Sequence, residues 1–177
     1  GRCAIFADCG LGKTPMQLVW AQNIVEKTGK PVLILTPLAV GAQTIREAKK
    51  FGVEATQSRD GSISKRITVS NYQQLHKFDW TRFGGVVCDE SSILKNFDGA
   101  TRRSVTDFMR KIPFRLLCTA TAAPNDYIEL GTSSEALGHL GFVDMLGRFF
   151  AKSEKTHTKS QEYSHGLYRF RGHAEHD

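Results

Sequence analysis

Short apolar runs alternate along the chain with longer stretches where apolar residues recur at helical spacing. The runs are Cys3-Ala4-Ile5-Phe6, Pro31-Val32-Leu33-Ile34-Leu35-Thr36, Ile67-Thr68-Val69-Ser70, Gly85-Val86-Val87-Cys88 and Phe114-Arg115-Leu116-Leu117-Cys118. Their length suits buried strands better than helices, and the continuous run after Pro31 is of the kind a parallel sheet buries on both faces. Helices are predicted over 14–28, stopping at Gly29, over 40–50, closing at Gly52, and over 101–110, separated by Pro113 from the next strand. A short strand is expected over 53–56 and a polar loop over 58–64. Asn71 is placed to cap a helical piece over 72–77. A further helix is expected to start at Pro124-Asn125-Asp126. Strands alternating with helices at this spacing predict an α/β domain, a largely parallel sheet flanked by helices.

Polar clusters fall where the strands end, which is where such sheets bind ligands. The first is Ala7-Asp8-Cys9-Gly10-Leu11-Gly12-Lys13-Thr14, between a strand and a helix, with Pro15 in the first helical turn where proline is tolerated. Strand, glycine turn and helix with Gly-Lys-Thr at the junction is the P-loop pattern. Gly10 and Gly12 allow a tight turn, so that backbone N–H groups, including that of Leu11, converge on phosphate oxygens at a helix N-terminus. Lys13 would set a positive charge on the β- and γ-phosphates of ATP, and the Thr14 hydroxyl would ligate Mg2+. Ala7 stands where the pattern usually starts with glycine, and is small enough to fit. The second cluster is Asp89-Glu90, at the end of an apolar strand. An aspartate there can hold Mg2+ through water, and the adjacent glutamate can orient and deprotonate an attacking water.

At 177 residues, 40% hydrophobic and 24% charged, the chain has the composition of one soluble domain with a proper core. No apolar run approaches a membrane span, and the N-terminus lacks a signal-peptide layout. Gly1 lies so close to the P-loop that a fragment boundary is expected there. The net charge of +6 favours a polyanionic partner. Cys3, Cys9, Cys88 and Cys118 lack metal-type spacing and argue for a reducing compartment, against a zinc site or a disulfide framework. After residue 150 the chain turns polar and basic, so residues 1–150 are read as the domain and 151–177 as a linker or the start of a following region. His165, His173 and His176 in that tail lack zinc spacing and partner cysteines.

Five blocks in order resemble the first RecA-like lobe of superfamily 2 helicases, of the Swi/Snf-related translocase type with phage-encoded relatives. Residues 7–14 look like motif I. Leu35-Thr36-Pro37-Leu38-Ala39-Val40 looks like motif Ia, continued by Glu47 and Lys50-Phe51-Gly52. Thr68-Val69-Ser70-Asn71-Tyr72 through Leu75 looks like motif Ib. Asp89-Glu90-Ser91-Ser92-Ile93-Leu94-Lys95-Asn96 looks like motif II. Leu117-Cys118-Thr119-Ala120-Thr121-Ala122-Ala123-Pro124-Asn125, followed by Glu129-Leu130, looks like motif III.

The resemblance implies an ATP- and Mg2+-dependent motor on nucleic acid, more on duplex DNA than on RNA. Lys13, Asp89 and Glu90 would be catalytic, with Thr14 and Asp89 at the metal. Thr36, Pro37, Ser70, Asn71 and Tyr72 would touch the DNA backbone, contacts that carry little sequence information and depend on salt. Thr119 and Thr121 would couple nucleotide state to DNA grip. A cytoplasmic location is implied, the host cytoplasm if the gene is phage-borne. Two departures stand out. Ser91-Ser92 replaces the alanine–histidine common in relatives. The second RecA-like lobe with its arginine finger, and the upstream adenine-reading segment, have no counterpart in these residues. Since such a finger is worth roughly a thousandfold or more in rate, the chain alone is expected to bind ATP better than it hydrolyses it. The alternative is a nucleotide-gated binding or regulatory module without motor activity, which needs no second lobe. A small-molecule kinase would explain the P-loop but not Asp89-Glu90 together with Thr119-Ala120-Thr121.

Two expectations follow. In RecA-like lobes the motif III strand lies between the P-loop strand and the motif II strand, so 114–118 should pair with both 3–6 and 86–88. Cys9, near a helix N-terminus and a lysine, should be the most reactive thiol, with Cys3 and Cys118 buried and inert and Cys88 intermediate.

Overall fold

The computed structural model describes residues 1–8, 10–120, 130–152 and 168–170. The elements run β1 (Arg2–Phe6), α1 (Lys13–Thr28), β2 (Val32–Thr36), α2 (Gly41–Lys50), β3 (Ala55–Gln57), β4 (Ile67–Asn71), β5 (Gly85–Asp89), α3 (Gly99–Lys111), β6 (Phe114–Thr119), α4 (Leu130–Leu137) and α5 (Phe142–Phe149). Short 3-10 turns cover Tyr72–Lys77, Trp80–Arg82 and Ser91–Asn96. The first six strands form one parallel sheet in the order β1-β6-β5-β2-β4-β3. β6 pairs Leu116 with Cys3 on one side and with Val87 on the other, so β6 separates β1 from β5, the order that the resemblance implied.

The alternation of side chains along β2, β5 and β6 divides the core into two layers. Ile34, Val87, Leu116 and Cys118 pack with Leu18, Ala21, Ile24 and Val25 of α1 and Ala48 of α2. Leu33, Leu35, Val86, Cys88 and Leu117 pack on the other face with Tyr72, Leu75, and Val105, Phe108 and Met109 of α3. Every residue of β2, β4 and β5 is buried. Burying one such leucine or valine stabilises the fold by roughly 1.5–3 kcal/mol, so these three strands hold the frame on which the loops are carried.

Local chemistry sets the element ends. α1 stops at Gly29, in the left-handed region at φ 66°, whose N–H donates to Val25 O. Asn71 Oδ1 accepts from Gln74 N at 3.2 Å and starts the turn over Tyr72–Lys77. α3 begins two residues before the expected 101, because Asp98 caps it, accepting from the N–H groups of Ala100 and Thr101 at 2.9 Å each. The short strand expected over 53–56 is shifted to Ala55–Gln57.

The first strand corrects the expectation of a buried one. β1 lies at an edge of the sheet, and Arg2, Cys3 and Phe6 are exposed. Apolar composition fits an edge and a central strand alike; only pairing on both sides buries a strand fully. Cys3 is therefore exposed and not the inert buried thiol anticipated. Phe150–Lys152 pairs antiparallel with Tyr168–Phe170, across the boundary expected near 150. The helix expected at Pro124-Asn125-Asp126 and the tail histidines lie outside the described residues, as do Cys9 and Thr121. No described helix is long and apolar enough to cross a membrane.

Candidate functional site

The turn between β1 and α1 places two glycines in the left-handed region, Gly10 at φ 82° and Gly12 at φ 76°. A Cβ at either position would meet nothing within 4 Å, so the requirement is conformational and not one of space. Gly12 is the N-cap of α1. It has no side chain to bond the free N–H groups, and the first turn holds no acidic residue. Lys13 meanwhile sits at the positive end of the helix, where a cation is disfavoured. Uncapped N–H groups and a cation at one helix start fit an anion such as a phosphate.

The cleft above this turn, about 470 Å³, is lined by Asp8, Gly10, Gly12, Lys13 and Thr14 from the loop, Pro37, Val40, Gln43 and Glu47 around α2, and Asp89 and Glu90 after β5. It lies at the carboxyl ends of β1, β2, β5 and β6. Lys13 Nζ donates to Ala7 O at 3.0 Å and stands 3.9 Å from Glu90 Oε2. Thr119 Oγ1, at the end of β6, donates to Glu90 Oε1 at 2.8 Å. The site thus joins the glycine turn before α1, the Asp89-Glu90 pair and Thr119 around a single glutamate.

Glu90 is held in the left-handed region at φ 51°, the one non-glycine residue with positive φ among those described. Such a conformation costs of order 1–3 kcal/mol and persists where surrounding contacts enforce it. The contacts are visible on both sides. Glu90 N donates to Asp89 Oδ1 at 3.1 Å, and the Tyr72 hydroxyl donates to Asp89 O at 2.7 Å from beneath. Burial pushes the Tyr72 hydroxyl well above its ordinary pKa, so it remains the donor.

Asp89 is buried, and burial raises its pKa above the usual carboxylate value. The bond from Gln17 opposes that shift, and the charge of Glu90 adds to it. Gln17 Nε2 donates to Asp89 Oδ1 at 2.6 Å, a partner that the sequence pattern does not single out. A carboxylate and a hydroxyl are hard oxygen donors of the kind magnesium takes. Thr14 and Asp89 line the same cleft, and no hydrogen bond reaches the Thr14 hydroxyl among the described residues. The residues present therefore fit a magnesium ion beside a phosphate.

The expected DNA contacts are differently placed. Thr36, Ser70 and Tyr72 are 0%, 3% and 2% exposed. Thr36 Oγ1 donates to Ser70 O at 3.4 Å, and Ser70 Oγ donates to Ser58 O at 2.8 Å. With Tyr72 on Asp89, these hydroxyls hold the ends of β2, β4 and β5 together. Asn71 is engaged as a cap. Pro37 is half-buried on the cleft wall, while Leu38, Gln73, His76 and Lys77 present exposed surface in the same two loops.

No protein-family model and no curated protein matches this chain. Solved structures do. The UvsW helicase of bacteriophage T4 is similar at TM-score 0.62 and 14% identity, over 77% of this chain and 52% of that one. The Sulfolobus solfataricus SWI2/SNF2 ATPase core, solved in complex with dsDNA, is similar at TM-score 0.66 and 18% identity, over 84% of this chain and 34% of that one. The chain therefore shares its fold with the matching parts of these two proteins, and spans about half the length of the first structure and a third of the second.

Proposed function

We propose that this chain is the ATP-binding lobe of a DNA helicase or translocase, which hydrolyses ATP to move on DNA when joined to a second RecA-like lobe. The observation that carries the reading is the convergence of Lys13, Thr14, Asp89 and Glu90 in one cleft at the carboxyl end of the sheet, with buried Thr119 holding Glu90 from behind the cleft wall. Gly10, Leu11 and Gly12 shape a cradle whose backbone N–H groups take phosphate oxygens. Lys13 leaves Ala7 O and turns to the β- and γ-phosphates. Thr14 and Asp89 hold the magnesium, whose charge neutralises phosphate oxygens when it is bound. Glu90, fixed by Thr119, orients the attacking water and accepts its proton.

DNA is the partner proposed, through the loops that follow β2 and β4. With the Thr36, Ser70 and Tyr72 hydroxyls turned inward, the contacts fall to the loops that follow Pro37 and Asn71, to exposed residues such as Leu38 through its backbone N–H, Gln73, His76 and Lys77. Contacts of that kind hold phosphates without reading bases. The experiment is steady-state ATP hydrolysis by the chain with duplex DNA, alone and with a second lobe supplied. Hydrolysis near background alone and restored by the second lobe is the expected result. A motor-like rate from the chain alone contradicts the two-lobe scheme.

A further inference from the structure

Gln17 is fully buried, yet half of its amide is unused. Nε2 donates to Asp89 Oδ1, whereas Oε1 is one of the few buried side-chain oxygens without a hydrogen-bond partner among the described residues. A buried acceptor left unpaired costs stability, and an apolar residue of the same size would fill this place in the α1 face without that penalty. Gln17 lies three residues after Thr14 and four after Lys13, so all three share one face of α1. That face looks onto the end of β5. At Asp89 both donors, Gln17 Nε2 and Glu90 N, fall on Oδ1. No hydrogen bond reaches Oδ2 among the described residues, and Asp89 lines the cleft.

We propose that Gln17 is a positioning residue of the magnesium site. Its amide N–H fixes the Asp89 carboxylate by Oδ1, which would leave Oδ2 for the metal shell, and its buried, unpaired Oε1 marks the amide as held there for Asp89 and not for packing. This rests on the nucleotide-binding reading above. Partners that orient a metal ligand typically change metal affinity by about 10–100-fold when removed, which sets the size of the effect.

The test separates metal from nucleotide. ADP binding to the chain is measured by calorimetry in EDTA and in excess magnesium, and the ratio of the two affinities is the magnesium increment. Gln17→Leu should keep the EDTA affinity within about twofold and lose about tenfold of the increment. In an Asp89→Asn background, which lacks the increment already, Gln17→Leu should remove nothing more. A full increment in Gln17→Leu overturns the proposal. So does an equal loss of affinity with and without magnesium, which is what a mere packing role gives. If the parent chain binds no ADP under either condition, the nucleotide reading itself falls. Should Gln17→Leu fail to melt cooperatively, Gln17→Met, unbranched and of matching length, takes its place in the same comparison.

Discussion

Thr119 Oγ1 donates to Glu90 Oε1 at 2.8 Å, while the other carboxylate oxygen of Glu90 faces Lys13 Nζ at 3.9 Å. The end of β6 and the start of α1 thus hold the same carboxylate from two sides. In the nucleotide-bound state proposed above, Lys13 would turn to a phosphate and release one of those sides while Thr119 kept the other. That is the place proposed for Thr119 in passing nucleotide state onward through β6.

Thr119→Val keeps the shape of a fully buried side chain and removes only the hydroxyl. The side chain of Glu90 is 37% exposed, so water replaces much of the lost bond. The expected cost is about 1 kcal/mol in stability, read by thermal melting. ATP affinity should stay within a few-fold. Hydrolysis by the two-lobed protein should fall about tenfold, because the base loses its fixed position. Unchanged hydrolysis would remove Thr119 from the mechanism.

Asp89 gives a pH signature of opposite sign to an ordinary ion-paired carboxylate. Burial raises its folded pKa above the ordinary aspartate value of 3.8, so the folded chain holds the proton more tightly than the unfolded one. Its stabilising effect is therefore complete below about pH 3.8 and lost as pH rises through the folded pKa. Asp89→Asn should melt higher than the parent at pH 7, and the gap should close as pH falls towards 4. A variant less stable than the parent at pH 7 would contradict the burial argument.

The thiols sort by burial. Burial pushes the Cys88 thiol up to about 12 and raises Cys118 further still. Cys3 is exposed on the edge strand. A brief iodoacetamide pulse at neutral pH should label Cys3 and spare Cys88 and Cys118 until the chain unfolds. Labelling of Cys88 or Cys118 in the folded chain, mapped by mass spectrometry, would show that the sheet opens.

Much of this architecture is legible in local sequence. The runs at 32–36, 67–70, 85–88 and 114–118 become strands because glycine, proline or a polar turn bounds each of them, and the place of 114–118 between 3–6 and 85–88 is the one that the family resemblance implied. The glycine turn before Lys13 is legible for the same reason, since only glycine takes φ above +60° without strain. Relations across the sheet are not legible. Nothing near Gln17 in sequence announces that it meets Asp89, and nothing near Tyr72 that its hydroxyl ends on Asp89 O. Nor does the sequence show that the Thr36 hydroxyl donates to Ser70 O and the Ser70 hydroxyl to Ser58 O. Whether a hydroxyl at a strand end turns outward or inward depends on which strand lies next to it, and that is settled by tertiary pairing. The apolar run at 3–6 misled in the same way, since sheet order and not composition made it an edge.

The central claim is that Gly12, Lys13 and Thr14 form a phosphate site, and titration of the chain with Mg-ADP tests it most directly. Lys13→Ala removes the cation from an uncapped helix start and should leave the fold intact, because its partners among the described residues are Ala7 O and Glu90. The account predicts one site per chain and a loss of at least about tenfold in affinity for Lys13→Ala, with melting little changed, a charge-assisted bond being worth about 1.5–3 kcal/mol. Failure of the parent chain to bind, or equal binding by parent and Lys13→Ala, would contradict it.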